Sequence, residues 1–537
     1  LKEESPIYKT KIGREITIAP VYENTDSETT FNWTIDGKSI CTASTLTFSA
    51  DEAGRYFILI SATNAGGTTE KEIRIDVFQL DVPTISIADA DKGFKVLQGS
   101  ELTITPIVDS FLETSYSWQI NGEDISNELT CTLPTIELGE YQVRFATHNE
   151  DGDDEVTFKV EVCSPDQVDF NWTFLQTEYN MSAGRTIRIK PVDVNNALDA
   201  VYTWTVDNEQ VQSGENDTYL FTSEQQGEHT VKVEMKNSYI LATQTLKVNV
   251  CPPAGTYQRK ISATSSASMN KVYEYLPAPG QFINENHNTT TMAEACTYAE
   301  ERINQTAYVS LGGFGGYIIV GFDHSIVNDG DYNIAITGNA FDGSSEPGIV
   351  WVMQDENGDG LPNDTWYELR GSEYGKAETW QDYAVTYHKP TGIQLPTPWT
   401  DNHGQSGSID YLGAFHRQDY YYPAWVKEKQ YTLRGTRLKE RNYDQSGNGT
   451  YWVNDSYEWG YADNFSAIDR LTDDDNYNAG PSDNHFKISH AVTFDGKDAN
   501  LKYVDFIKVQ VGVNSKSGWL GEISTEVFGI KDFNMLK

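Results

Sequence analysis

The first half of the chain alternates apolar and polar residues in short bursts separated by turn-forming residues. GREITIAPV (13–21), GSELTITPIV (99–108) and GRTIRIKPV (184–192) each alternate with a period of two, and each reaches a proline seven positions after its glycine. Such alternation predicts half-buried strands. After those prolines, at 13, 12 and 13 residues, come Trp33, Trp118 and Trp204, in FNWTIDGK, YSWQINGE and YTWTVDNE. A tryptophan in a strand that runs into an Asp-Gly or Asn-Gly turn suits a sandwich core beside a hairpin. GRYFILISATN, GEYQVRFATHN and GEHTVKVEMKN then set Tyr56, Tyr141 and His229 eight residues before Asn64, Asn149 and Asn237.

Four landmarks therefore recur in register, with Gly13, Gly99 and Gly184 spaced 86 and 85 residues apart. A repeat of this length, built from short alternating strands and turns, predicts tandem immunoglobulin-like sandwiches. Over residues 1–252 the Trp strand, the Gly-x-Tyr turn and the late Asn resemble PKD-type modules, with His229 replacing the tyrosine in the third copy. The modules read as 1–79, 80–163 and 164–252. The resemblance implies spacers or binding platforms, and their aromatic residues read as core.

After Cys251-Pro252-Pro253 the repeat ends. TMAEACTYAEERINQ (291–305) predicts a helix, with Thr291 and Glu294 in capping-box spacing. The rest reads as strands such as AYVSLGGFGGYIIVGFDHSI, PGIVWVMQ, WQDYAVTYHK and LKYVDFIKVQVGV, separated by loops rich in Asn, Asp, Gly and Tyr. The expected fold is all-β: three tandem immunoglobulin/PKD-like sandwiches, then a larger jelly-roll-like β-sandwich over 253–537 with one short helix.

Charge narrows the function classes. The 537 residues carry 40 basic against 79 acidic side chains, a formal net charge of -39. That surface repels phosphate backbones and anionic headgroups, which leaves cations and neutral ligands. The longest apolar run, YIIVGF (317–322), falls well short of the roughly 20 residues of a membrane-spanning helix. Cys41, Cys131, Cys163, Cys251 and Cys296 are too dispersed for a CxxC metal site and read mostly as buried thiols. The opening LKEESPIYKT has no initiator Met, as expected of a mature form whose export signal has been removed.

QDENGDGLPNDTWYE (354–368) concentrates acidic side chains in one loop. Asp355, Asn357 and Asp359 stand at positions 1, 3 and 5 of a D-x-N-x-D-G pattern, and alternation by two converges three oxygens on one point. Leu361 can add its carbonyl, and Asp364 or Glu368 completes the shell, since Trp366 occupies the place of an EF-hand glutamate. Hard oxygen ligands without His or Cys favour a structural Ca²⁺. SLGGFGGY (310–317) precedes a strand and so is not a dinucleotide loop, and LTDDDNYNAG (471–480) reads as a solvated loop. No H-E-x-x-H or G-x-S-x-G motif occurs, so the sequence points away from an enzyme.

Aromatic density is the stronger functional signal. RQDYYYPAW (417–425) carries Tyr420, Tyr421, Tyr422 and Trp425, and YWVNDSYEWGYADN (451–464) carries Tyr451, Trp452, Tyr457, Trp459 and Tyr461. Consecutive residues of a strand cannot all face one core, so some of these rings are expected at the surface as a grip for a sugar or a corrinoid.

GSSEPGIVWVMQDENGDGLPNDTWYELRGSEYG, YADN (461–464) and VDFIKVQVGVNSKSGWLGEISTEVFGI (504–530) resemble the C-terminal domain of a group of Bacteroidetes cell-surface lipoproteins that carry PKD-like repeats. That resemblance implies capture of vitamin B12 (cobalamin) or another corrinoid at the outer membrane, beside a TonB-dependent transporter and a surface propeller protein. It also implies a lipid anchor, although the chain contains no lipobox cysteine. A glycan-binding surface protein of a polysaccharide-utilisation system is the alternative.

Overall fold

A computed structural model describes residues 7–537 except 88–89, 136, 165–166, 168–171, 195–196, 198, 238–239, 286 and 473–480. The described residues are nearly all β, with a helix at Met292–Asn304 and a single helical turn at Ala467–Arg470. None of their helices is long and apolar enough to cross a membrane. The five cysteines are free thiols. The chain divides into two compact units, one of Leu1–Lys92, Val108–Leu129 and Gln142–Lys159, the other of Gly93–Ile107, Thr130–Tyr141 and Val160–Lys537.

In the first unit a five-stranded sheet runs Ile7–Lys11, Gly67–Phe78, Gly54–Asn64, Thr30–Ile35, Lys38–Cys41, and its first pair is parallel. It closes with the pair Ile16–Ile18 and Leu46–Phe48 over Ile18, Trp33, Leu46, Ile58 and Ile75. Period-two alternation sends Ile58 and Ile60 inward from one strand. Trp33 is fully buried, and its Nε1 donates to the Ala43 carbonyl at 2.8 Å. Trp118 is buried likewise, donates to Glu128 O at 2.9 Å and packs on Phe145.

The turns after the tryptophans explain their composition. Asp36-Gly37, Asn121-Gly122 and Asp207-Asn208 all have positive φ at both residues, the type I′ geometry that suits two-residue hairpins.

The second unit holds the third sandwich, whose sheet runs Glu178–Ser182, Leu241–Cys251, Gly227–Lys236, Val201–Val206, Glu209–Gly214 over a core that includes Trp204, Val231 and Leu246. The remainder of this unit forms the large sandwich. Lys271–Leu276, Tyr317–Val327, Tyr503–Val511, Gly348–Met353, Trp366–Leu369 and Ala491–Val492 pair antiparallel in that order. Its strand Tyr503–Val511 is buried almost throughout, which accounts for apolar runs without alternation. A four-stranded sheet (Ser406–Ile409, Thr397–Asp401, Trp380–His388, Gln430–Arg437) and a three-stranded one (Ser482–Phe486, Ile334–Gly338, Gly529–Asp532) share its core.

Local signals hold in detail. Thr291 Oγ1 accepts the Glu294 N–H while Glu294 Oε2 accepts the Thr291 N–H, closing the capping box. In SLGGFGGY the backbone crosses itself closely: a Cβ at Gly316 would stand 1.8 Å from the Leu311 carbonyl oxygen. A strand follows, as the sequence predicts.

His229 does in the third repeat what tyrosine does in the first two. Tyr56 and Tyr141 donate their hydroxyls to the carbonyls four residues back, Glu52 at 2.8 Å and Glu137 at 2.9 Å. His229 Nε2 meets Gln225 O at 3.0 Å, and Nδ1 meets the Asp207 carboxylate at 2.6 Å. The carbonyl bond and the carboxylate raise the imidazole pKa above its ordinary 6.5, against the effect of burial. The stability this contributes is complete below about 6.5 and is lost as pH rises through the folded value. H229Y keeps the bond to the carbonyl and removes the titration. Denaturant unfolding of the third repeat followed from about pH 6 to 9 is expected to weaken with pH in the wild type and stay level in H229Y; equal slopes would refute this role.

Candidate functional site

The hairpin after Gly348–Met353 gathers most of the acidic residues predicted to hold a cation. Asp355 accepts the N–H groups of Gly358 at 2.7 Å and Gly360 at 3.0 Å. Asn357 Oδ1 accepts the Asp359 N–H at 2.9 Å, and Asp359 Oδ1 accepts that of Leu361 at 2.8 Å. Asp359 Oδ2 also accepts the side-chain amides of Asn357 and Asn363. Asp364 Oδ2 accepts the Glu356 N–H at 3.0 Å, but its Oδ1 is buried with no partner. Burial pushes the Asp364 carboxyl up to about 8, with Glu356, Asp355 and Asp359 adding repulsion. An ionised carboxylate has about four lone-pair sites, so these bonds leave acceptors unused. The donor types of Asp355, Asn357, Asp359, Asp364 and the Leu361 carbonyl are those of a hard cation, but the oxygens of the three aspartates do not lie within 4.8 Å of one another as they stand, and several cap the loop's own N–H groups.

Glu368 requires a correction. It sits in Trp366–Leu369 opposite Trp351, where the strand register turns its carboxylate to Thr436 Oγ1 at 2.5 Å instead of to the hairpin. Burial raises it to about 7.

Sequence reasoning missed what Glu356 does. Its Oε2 accepts the Ser182 N–H at 3.0 Å, and its Oε1 is ion-paired with Arg185 Nε at 3.3 Å. Arg185 also donates to Ala499 O at 3.1 Å and Gln354 Oε1 at 3.2 Å. Arg188 and Lys190 bracket Asp382 at 2.9 and 2.8 Å. The acidic hairpin is thus the seat on which the third sandwich docks. The sequence signal was a charged residue between two candidate ligands, indistinguishable from a solvated side chain.

The aromatic expectation is corrected at five of its nine rings: Tyr421, Tyr422, Trp425, Tyr457 and Tyr461 are buried. Tyr421 donates to His416 O at 3.0 Å, Tyr422 to Glu428 O at 3.0 Å, Trp425 to Tyr275 O at 3.1 Å and Tyr457 to Lys439 O at 2.6 Å. Tyr461 Oη accepts the Glu373 N–H at 2.9 Å. The alternation argument assumed strands, whereas these segments are largely irregular, and irregular backbone can turn neighbouring rings to the same side. Tyr420, Trp452 and Trp459 are half-buried, and Tyr451 is 59% exposed. Phe415 and Trp519, which the sequence reading passed over, are 66% and 50% exposed with ring centroids 6.4 Å apart. Asp473, Asp474 and Asp475 lie outside the described residues.

Trp459 lines a cavity of about 330 Å³ together with Tyr332, Arg370, Asp469, His485 and His490, at the small end of ligand pockets. Gly460 in its lining lets two backbones pass closely: a Cβ there would stand 2.3 Å from the Gly371 Cα. Asp469 Oδ2 then fixes the loop by accepting the Gly460 N–H at 2.6 Å. Trp459 leans on His490, 5.1 Å between centroids, and His485 Nδ1 is bonded to Asp469 O at 2.7 Å. Burial lowers the pKa of both histidines, and Arg370 is paired with Asp498 at 2.8 Å. The cavity therefore offers an aromatic face beside two neutral histidines, with Arg370, Glu458, Asp469 and Lys487 also in its lining.

Residues 1–64, 82–149 and 154–237 match the PKD-like domain family. No curated protein matches the chain. Among solved structures, the titin I-band fragment I67–I69 is 14% identical, spanning 47% of this chain and 98% of that one with a TM-score of 0.22. Three N-terminal domains of the bacteriophage RB49 highly immunogenic outer capsid protein are 15% identical over 45% and 94%, TM-score 0.22. SGBP-B of the Bacteroides ovatus mixed-linkage glucan utilization locus, in complex with a mixed-linkage heptasaccharide, is 13% identical over 68% and 85%, TM-score 0.17.

Burial raises the Asp469 carboxyl from 3.8 to about 7. An acid so raised favours the fold fully below its unfolded value, and the benefit disappears as pH climbs through the folded one. The melting temperature of D469N relative to wild type is expected to rise between about pH 4 and pH 7 and then level off; a difference independent of pH would show that this carboxyl titrates normally.

Proposed function

We propose that the C-terminal sandwich is a non-catalytic binding domain of a cell-surface protein, holding a neutral, hydroxyl-rich ring such as a glycan residue in the cavity at Trp459, with the PKD-like modules as its spacer. The observation that carries this reading is the half-buried Trp459 ring beside two neutral histidines in the cavity lining. A sugar has an apolar face for the indole and hydroxyls for the surrounding groups, and it carries no charge for an acidic protein to repel. Calorimetry or gel shift against plant and host polysaccharides is expected to find a ligand whose affinity falls at least about tenfold in W459A, a loss of roughly 1.4 kcal/mol. Equal affinity in wild type and W459A would overturn the assignment.

A corrinoid is the second reading, supported by the resemblance of the C-terminal half and by the exposed Phe415 and Trp519 rings. A corrin ring is too broad for a cavity of about 330 Å³ and suits an open surface. Handing the corrinoid to a TonB-dependent transporter beside a propeller protein belongs to this reading. It requires tight cyanocobalamin binding, lost in W519A and kept in W459A; no binding at micromolar ligand would end it.

In either case a structural Ca²⁺ in the hairpin, held by Asp355, Asn357, Asp359, Asp364 and the Leu361 carbonyl, would neutralise the charge beneath the docked third sandwich. Calcium is expected to raise the melting temperature, and D359N to reduce that gain. A gain unchanged in D359N would remove the ion from this loop.

A further inference from the structure

A second carboxylate group lies elsewhere in the large sandwich. Glu346 precedes Gly348–Met353, Asp463 follows the Trp459 loop, and Glu526 belongs to Glu526–Val527, which pairs with Val309–Ser310. One ligand oxygen from each lies within 4.8 Å of the others.

The placement is built. Asp463 sits in the left-handed region at φ 52°, and its Oδ1 accepts the N–H groups of Asn339 at 2.7 Å and Ala340 at 2.8 Å. Its Oδ2 accepts the Glu526 N–H at 2.9 Å. Gly338 makes room, because a Cβ there would stand 2.4 Å from Asp463 Oδ1. Neighbouring segments thus aim this carboxylate.

A further observation calls for a ligand. Glu526 is only 4% exposed, yet its Oε1 is buried without a hydrogen-bond donor. The Asn339 amide donates to both oxygens of Asp463, at 3.2 and 3.3 Å, which serves Asp463 but leaves Glu346 and Glu526 facing each other. Three carboxylates this close cannot all ionise unless a positive charge joins them.

We infer that Glu346, Asp463 and Glu526 form a site for a hard divalent cation, with Ca²⁺ as the ion to test. Carboxylate oxygens without nitrogen or sulfur select a hard ion. This site is separate from the hairpin and does not depend on which ligand Trp459 holds.

The test uses the full chain, stripped with chelator and titrated with CaCl₂ by calorimetry, with melting temperatures measured in parallel. E346Q and E526Q are each expected to bind one Ca²⁺ per chain fewer than wild type and to lose part of its calcium-dependent melting gain. D359N, which alters only the hairpin, is expected to keep that ion. Should E526Q fail to fold, E346Q decides alone. Wild-type stoichiometry and melting gain in E346Q would overturn the site and leave the three carboxyls sharing protons.

Discussion

The constraint on which the large sandwich depends is the need to satisfy carboxylates removed from water. A chain of net charge -39 cannot keep every acidic group at its surface partnered by a base, and this domain buries several. An isolated buried carboxylate costs more than the fold can bear, so each is hydrogen-bonded, paired, protonated or bound to a cation. Asp505 is fully buried, receives Arg259 at 2.9 Å and Ser325 at 2.6 Å, and accepts the Asp355 N–H at 2.9 Å. It thereby anchors the first residue of the acidic hairpin. Glu522 accepts the Gln281 N–H at 2.7 Å and is raised by burial to about 8. Where arginine and N–H donors run out, orphaned oxygens remain, and among the described residues they remain at Asp364, Glu522 and Glu526.

The same economy of charge shapes the connection between repeats and sandwich. Arg185 follows Gly184, which carries φ 81° at the turn opening the third repeat's strand, and reaches Glu356 from there. The equivalent turn of the first repeat carries Arg14, which is paired with Asp151. One repeat position thus serves twice as a basic arm toward an acidic loop, which explains why so few bases suffice to order so acidic a chain.

Where function is legible in the sequence, the signal is local. The Trp strand, the positive-φ dipeptide after it and the bond to the carbonyl four residues back are each set within a dozen residues, and so could be read from spacing. His229 looked like a departure but keeps the same bond, because an imidazole N–H reaches as a phenol does. The capping box and the glycine crossing were legible for the same reason. The aromatic loops were not: whether Tyr421 faces water depends on the His416 carbonyl and on Tyr411, whose ring centroid is 5.0 Å away, placed by the fold of an irregular segment. Glu346, Asp463 and Glu526 meet only because three separate segments converge, and no motif spacing encodes that.

The burial that raises the acids also selects what the cavity at Trp459 can hold. At neutral pH its histidines, lowered by burial, carry no charge, and Asp469, raised to about 7, is near half-protonated. Arg370 is occupied by Asp498. An anionic guest would enter a strongly negative protein with Lys487, whose Nζ stands over the Tyr332 ring at 4.6 Å, as its counter-charge, and a cationic one would draw Asp469 away from the N–H that fixes the Trp459 loop. A neutral guest disturbs neither balance. Its hydroxyls can donate to or accept from neutral imidazoles, while its apolar face covers an indole that the fold leaves half open.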